Sequence, residues 1–144
     1  MTPAVTLVLW EKSGLLARKF EDTGLPHDVA LVSARSLEEL TQALAAPFAA
    51  AIVDRDAAGP RLAEALAVAR ARDAYVLVVG APAAEAATLL ELGATACVRR
   101  ELSASEWAPR LAAVFAATRD RFAAAGGETR GKRALREERG AFSS

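Results

Sequence analysis

Charged side chains follow two of the apolar runs in this chain, directly where each run ends. Glu11 and Lys12 come after the first run, and Asp54 and Asp56 come after a later one. Carboxylates beside basic side chains form ion pairs, so in the simplest interpretation Asp54 pairs with Arg100 or Lys12. Such a pair at an exposed edge stabilises a protein by only about 0–1 kcal/mol.

Nucleophilic and metal-binding side chains of other types are scarce. Cys97 is the only cysteine and His27 the only histidine, which excludes an internal disulfide and any paired-histidine metal motif. Arg99 and Arg100 could activate the Cys97 thiol, but its place within an apolar run favours a small buried residue. There is no Gly-rich phosphate-binding loop of the Walker or dinucleotide type. These observations argue against a metabolic enzyme.

The elements that position these residues alternate along the chain. The predicted strands cover residues 5–10, 28–33, 48–53, 74–79 and 94–98, and the predicted helices cover residues 14–22, 36–46, 61–72, 83–92 and 103–122. Continuous apolar runs of this length are typical of strands buried on both faces of a parallel sheet. Ser36 and Ser103, each followed three residues later by Glu, have the spacing of a helix capping box. Residues 57–60 are predicted to form a loop.

Five strand–helix alternations predict an α/β fold of the flavodoxin-like kind. This is a three-layer sandwich with a five-stranded parallel sheet, in the order 2-1-3-4-5, and helices on both faces. The functional edge of such a sheet lies outside the carboxyl ends of its strands. The residues expected at that edge are Glu11, Lys12, Asp54, Asp56, Gly80, Arg99 and Arg100.

The composition is that of one globular domain. The 144 residues are 53% hydrophobic and 25% charged, with a formal net charge of zero. This balance excludes global disorder and gives no bulk attraction to nucleic acid or an anionic membrane. No apolar run approaches the roughly 20 residues of a membrane span, and the first residues lack the pattern of a signal peptide. We therefore expect no membrane association and a cytoplasmic setting.

The character of the chain changes after residue 122. We expect residues 1–122 to form the domain and residues 123–144 to form a flexible, charged C-terminal tail or linker. Gly126 and Gly127 lie in the linker-like part, and residues 128–139 are dense in charge. Because this tail mixes acids with bases and has Phe142 as its one aromatic residue, nucleic-acid binding is not expected.

The order of elements, Asp54 at the end of the third strand, and residues 89–100 (LLELGATACVRR) resemble the receiver domain of two-component response regulators. The resemblance covers roughly residues 5–120 and extends to chemotaxis-type regulators. It implies that Asp54 is a phosphoacceptor, and that Glu11, Asp54 and Asp56 hold Mg²⁺, an ion that prefers oxygen ligands. In this family a hydroxyl residue and a lysine, at the positions of Gly80 and Arg100, hold the phosphoryl group.

Four positions depart from the family's pattern. Glu11 is a single acid where two are expected, Gly80 lacks the hydroxyl, Cys97 replaces an aromatic switch residue, and Arg100 replaces the lysine. A missing carboxylate weakens cation binding and leaves the charge of phosphoryl transfer uncompensated. Arginine is also a poor substitute where a point charge is required.

Two functional hypotheses follow from these departures. The first is a pseudo-receiver that acts in bacterial signal transduction by binding protein, without phosphorylation, catalysis or a cofactor. The alternative is a phosphorylatable receiver that uses Asp54 with a reduced Mg²⁺ site. A small-molecule binder or enzyme on the same sheet is a third class, but no general base or nucleophile supports it.

The resemblance also implies a contact surface. In this family the fourth helix, fifth strand and fifth helix, here residues 83–118, form a common surface for a protein partner or a homodimer. Trp107, Leu89 and Cys97 are the candidate contact residues, because aromatic anchors dominate interface energetics. For Trp107 the alternative interpretation is packing against the sheet or the fourth helix.

Overall fold

One parallel sheet of five strands organises the molecule. The computed structural model describes the backbone of residues 4–138 and the side chains of residues 4–121. The strands are β1 (Val5–Trp10), β2 (Val29–Ala34), β3 (Ala49–Asp54), β4 (Tyr75–Val79) and β5 (Ala96–Val98). They pair in parallel in the order β2-β1-β3-β4-β5. The predicted α/β, flavodoxin-like architecture is therefore confirmed.

Helices connect the strands and cover both faces of the sheet. They are α1 (Leu15–Thr23), α2 (Leu37–Ala43), α3 (Leu62–Ala71), α4 (Ala83–Leu92) and α5 (Ala104–Glu138). Within residues 4–138 no helix combines the length and apolar character needed to cross a membrane.

The segment predicted as a loop before α3 is helical, so that prediction is wrong. A single α-helical turn, Arg55–Ala58, follows β3 at once, and a 3-10 turn, Gly59–Arg61, leads into α3. Ala57 and Ala58 are good helix formers, and Ala58 buries its side chain in the core. The sequence signal of Gly59 and Pro60 marks a change of helix type and not the end of helical structure.

Two apolar layers hold the helices to the sheet, one on each face. Alternate strand residues point to opposite faces. One layer packs α2, α3 and α4 against Val8, Trp10 and Val53, among others. The other packs α1 and α5 against Leu7 and Ile52, among others. Because β1, β3 and β4 are buried on both faces, they read as continuous apolar runs and were predicted with almost the observed bounds.

Side-chain caps define where α2 and α5 begin, as the two capping-box patterns predict. The Ser36 hydroxyl accepts from the Glu39 N–H at 3.1 Å, and the Ser103 hydroxyl accepts from the Glu106 N–H at 3.2 Å. At α5 the box is reciprocal, since the Ser103 N–H donates to the Glu106 carboxylate at 2.9 Å. At α2 the Glu39 carboxylate accepts from the Arg35 N–H instead. These bonds satisfy N–H groups that have no partner within the helix.

The predicted end of α5 near Phe122 is also wrong, because the helix continues to Glu138. The residues between are mostly Ala, Glu, Arg and Lys, which propagate a helix well once it has begun. The glycines of this stretch, Gly126, Gly127 and Gly131, each cost only about 1 kcal/mol relative to Ala inside a helix. The division of the chain at residue 122 stays a prediction, and residues 139–144 of the predicted tail lie outside the described residues.

Candidate functional site

The register of the sheet brings the carboxyl ends of the central strands level with one another. Trp10 is opposite Val53, and Asp54 is opposite Val79 on the neighbouring strand. Asp54 is therefore the last residue of β3, at the edge where parallel sheets place their functional groups. Its side chain is 15% exposed. The predicted location of Asp54 is confirmed.

Arg100 reaches Asp54 from the far side of this edge. The Arg100 Nη2 donates to Asp54 Oδ1 at 2.6 Å and to Asp56 Oδ2 at 3.1 Å, while Nε donates to Asp54 Oδ1 at 3.3 Å. The hydrogen bond to Asp54 is the main reason that the pKa of Arg100 is raised above its ordinary value. The interpretation that Asp54 pairs with Arg100 is confirmed, whereas Lys12 is exposed at the end of β1.

Gly80 lies beneath the Arg100 guanidinium. Its N–H donates to the Val98 carbonyl at 2.9 Å, which continues the β4–β5 ladder, and its φ is +84°. A Cβ built on Gly80 would stand 2.8 Å from Arg100 Cζ and closer still to Nη2. The guanidinium therefore occupies the volume that any side chain at residue 80 would fill.

Glu11 acts on α1 and not on the Asp54 cluster. Its two carboxylate oxygens accept the N–H groups of Leu16 and Ala17, each at 2.9 Å. Both amides lie in the first turn of α1, where N–H groups lack helical partners and a negative charge is favourable. The structure thus brings Arg100, Asp54 and Asp56 together and gives Glu11 a capping role.

A second ion pair lies beside the first and was not predicted from the sequence. Arg55 Nε and Nη2 donate to the two oxygens of Glu85 at 2.8 and 2.6 Å, a bidentate arrangement that joins the end of β3 to α4. This hydrogen bonding lowers the pKa of Glu85 and raises that of Arg55. The available signal was that Arg55 follows Asp54 while Glu85 lies in the first turn after β4, the adjacent strand.

The acidic residues do not form the set of ligands expected for Mg²⁺. Across the described part of the chain, no three His, Cys, Asp or Glu side chains are placed to hold one metal ion. Both oxygens of Glu11 are engaged with α1, and the Asp54 and Asp56 carboxylates share Arg100. Magnesium needs near-octahedral oxygen ligands. The arrangement suits a guanidinium and does not fit the ion.

Two of the three residues predicted to contact a partner are inside the domain. Trp107 is 0% exposed and packs edge-on against Phe20, with ring centroids 4.9 Å apart, and Leu89 is 6% exposed. Their interpretation as contact residues is wrong, because each lies on the core-facing side of its helix. Cys97 is half-buried, and burial raises the pKa of its thiol. Leu90, the residue after Leu89, is 47% exposed and was not predicted to be a contact residue.

The fold is shared with solved receiver domains. The signal receiver domain of a protein described as a Luxo repressor from Vibrio parahaemolyticus superimposes with a TM-score of 0.65 at 13% identity, covering 80% of this chain and 92% of that one. A response regulator from Thermotoga maritima gives a TM-score of 0.66 at 13% identity, covering 78% and 98%.

A third solved domain agrees with these two. The signal receiver domain of a response regulator described as NarL, from Mycobacterium tuberculosis, gives a TM-score of 0.58 at 19% identity, covering 76% of this chain and 94% of that one. No protein-family model and no curated protein matches the sequence. The chain therefore has the fold of response-regulator receiver domains.

Proposed function

We propose that this domain is a cytoplasmic signalling module of the pseudo-receiver kind. It binds a protein partner or a second copy of itself through the surface formed by α4, β5 and α5, and it works without phosphorylation of Asp54. It has no metabolic activity of its own. The single observation that carries this proposal is the ion pair between Arg100 and the Asp54 carboxylate.

This ion pair bears directly on phosphorylation. Transfer of a phosphoryl group to a carboxylate needs a cation that neutralises the developing charge on the phosphoryl oxygens. Here the positive charge next to Asp54 is a single guanidinium, which is already bonded to the carboxylate oxygen Oδ1. Glu11, the acid that would complete a cation site, caps α1. The residue expected to accept phosphate is thus held in an internal contact.

The surface of α4, β5 and α5 has the character of a contact region. Its exposed apolar positions are mostly small, namely Ala83, Ala84, Ala87, Leu90, Leu92, Ala108, Pro109, Ala112, Ala113 and Ala116. Leu90 and Leu92 are its large exposed apolar side chains, 47% and 41% accessible. Small apolar positions beside two large exposed side chains suit close packing against another protein surface.

A phosphorylatable receiver remains the second candidate, and one feature of Asp54 favours it. Both of the hydrogen bonds that Arg100 donates to Asp54 go to the same oxygen, Oδ1. Within the described residues the other oxygen, Oδ2, has no hydrogen bond, so it is the atom that would attack a phosphoryl donor. In this alternative, Asp54 is the switch and Arg100 holds the product.

One experiment separates the two candidates. The protein is incubated with acetyl phosphate and Mg²⁺, its intact mass is measured, and its association state is followed by sedimentation velocity. We expect no phosphoryl adduct and an association state that acetyl phosphate does not change. The Leu90→Glu substitution should weaken association, because it places a charge among the exposed apolar side chains of α4. Leu15→Glu is the matched control, since Leu15 is an exposed leucine on α1, a helix that is not part of that surface.

Other results of the same experiment would overturn or restrict the proposal. An adduct in the wild type that Asp54→Ala removes would establish the phosphorylatable receiver and overturn the proposal. A chain that stays monomeric at every concentration would exclude the second copy as the occupant, and the surface would then be assigned to a different protein. Equal effects of Leu90→Glu and Leu15→Glu would show that α4 is not the contact element.

A further inference from the structure

The cluster at the sheet edge carries its own positive charge. Arg100 lies between Asp54 and Asp56, with its Nη2 within 3.1 Å of an oxygen of each. The guanidinium is fixed through a fork of donors on Asp54 Oδ1, a geometry that arginine provides and a lysine ammonium does not. Arg55 adds a weaker contact of 3.4 Å to Asp56. The two carboxylates therefore have their counter-ions within the chain.

The position of the guanidinium depends on the absence of a side chain at residue 80. A Cβ there would come within 2.8 Å of Arg100 Cζ and 3.3 Å of Nε. Real Cβ atoms do not approach neighbours this closely, so something must move. The obstructing atoms are the end of a long, mobile side chain that is 44% exposed. Arg100 would swing away from Asp54 and leave the backbone in place.

From these contacts we propose that Arg100 is a built-in counter-ion that closes the acidic site to divalent cations, and that Gly80 is the residue that makes room for it. The proposal deepens the proposed function, on which it rests in treating Asp54 as unphosphorylated. Gly80 is a positioning residue and Arg100 the occupant. A cation can take the place between Asp54 and Asp56 only by displacing the guanidinium that bonds to both.

Mn²⁺ alone, without any phosphoryl donor, is the probe. It takes oxygen ligands as Mg²⁺ does, and its electron paramagnetic resonance signal measures the free ion directly. We expect Arg100→Ala and Gly80→Ala each to bind Mn²⁺ at least about tenfold more tightly than the wild type, which corresponds to about 1.4 kcal/mol. The double variant should bind no more tightly than either single variant, because both changes remove the same guanidinium from the same site.

Two controls make the result specific. Gly24 has a φ of +86°, close to that of Gly80, and a Cβ at residue 24 meets nothing within 4 Å. Gly24→Ala therefore reproduces the backbone strain of a left-handed residue without obstructing Arg100, and it should bind Mn²⁺ as the wild type does. Adding Asp54→Asn to Arg100→Ala should abolish the gained binding, which locates the ion at Asp54.

Each result of the Mn²⁺ measurements either supports or overturns the proposal. Gained binding in Arg100→Ala and Gly80→Ala, absent from Gly24→Ala, supports the proposal. Equal Mn²⁺ affinity in the wild type and Arg100→Ala overturns it, and a folded Gly80→Ala that behaves as the wild type overturns the role of Gly80. If Gly80→Ala does not fold, the comparison of Arg100→Ala with the variant that carries both Arg100→Ala and Asp54→Asn still tests the role of Arg100. The proposed function fails on a different result, the phosphoryl adduct of the wild type.

Discussion

Trp107 is the largest fully buried side chain among the described residues. Its ring meets Phe20 of α1 at an interplanar angle of 71°, which joins the two helices on that face of the sheet. An edge-to-face pair contributes about 0.5–1.5 kcal/mol beyond the area it buries. Its indole Nε1 is buried and has no hydrogen-bond partner among residues 4–121. Trp107 therefore stabilises by packing alone.

Replacing Trp107 tests its place in the core. Trp107→Ala should lower the free energy of unfolding by about 3–5 kcal/mol, as expected for loss of a large buried aromatic side chain. Trp107→Phe should cost less, because it keeps a ring against Phe20 and removes the unpaired N–H. Equilibrium urea unfolding measures both. Leu15→Ala, at an exposed position of α1, is the control and should stay within about 0.5 kcal/mol of the wild type.

At the scale of single elements, the start of α5 shows how a cap is coupled to pH. Hydrogen bonds from the backbone N–H and hydroxyl of Ser103 are the largest causes that lower the pKa of Glu106, and the nearby Arg99 and Arg110 act in the same direction. A carboxylate with a lowered pKa contributes stability that is complete above its unfolded pKa, about 4.3. That contribution is lost as the pH falls through the folded value.

The Glu106→Gln substitution isolates this contribution. The amide side chain of the variant would still accept the Ser103 N–H but would carry no charge at any pH. We expect the wild type to melt at a higher temperature than the variant at pH 7, and the difference to shrink as the pH falls below about 4.3. Thermal unfolding followed by circular dichroism from pH 7 to pH 3 gives the comparison. A difference that does not change with pH would mean that the charge of Glu106 has no part in the cap.

The elements differ in how much of them the sequence determines. β1 and α4 were predicted with their observed bounds. β1 is buried on both faces and is a continuous apolar run, and Gly93 gives α4 a clear end, so each pattern has one interpretation. The helical turn at Arg55–Ala58 was not predicted, because a Gly-Pro pair such as Gly59 and Pro60 is found both in loops and between two helical segments. Leu89 and Leu90 are adjacent leucines, and only the packing angle of α4 decides that Leu89 is buried.

The site was predictable in its location but not in its contacts. Asp54 belongs to the edge of any sheet with this order of strands, and its pairing with Arg100 follows from the parallel register of β3, β4 and β5. The capping of α1 by Glu11 depends on the direction of a side chain at the start of the loop between β1 and α1, residues 11–14. Local spacing does not encode that direction, so metal binding and helix capping were equally compatible with the sequence.

In the whole molecule, α5 is joined to the sheet at its C-terminal end as well. The last described side chains of α5 form hydrogen bonds at the edge of the sheet where the strands begin. Arg119 Nη2 donates to Asp28 at 2.6 Å, just before β2, and Arg121 Nη1 donates to the Asp73 carbonyl at 2.8 Å, just before β4. The Arg119–Asp28 pair is mostly buried. Residues up to Arg121 thus supply contacts that the fold uses.

Truncation tests where the domain ends. A chain of residues 1–122 should unfold at the same urea concentration as the full chain, because every residue described in the two apolar layers lies within it. A chain of residues 1–118 loses Arg119 and Arg121 and leaves Asp28 unpaired, so it should be less stable by about 1–3 kcal/mol. If the 1–122 chain proves as unstable as the shorter one, residues after 122 belong to the domain.

The two apolar layers have a practical consequence for following this protein in solution. Trp10 lies in the layer with α2, α3 and α4, and Trp107 lies in the layer with α1 and α5. The chain contains two tryptophans in all. Each side of the sheet therefore has its own intrinsic fluorophore. Variants that keep one indole each would show optically whether the two sides melt together or one after the other.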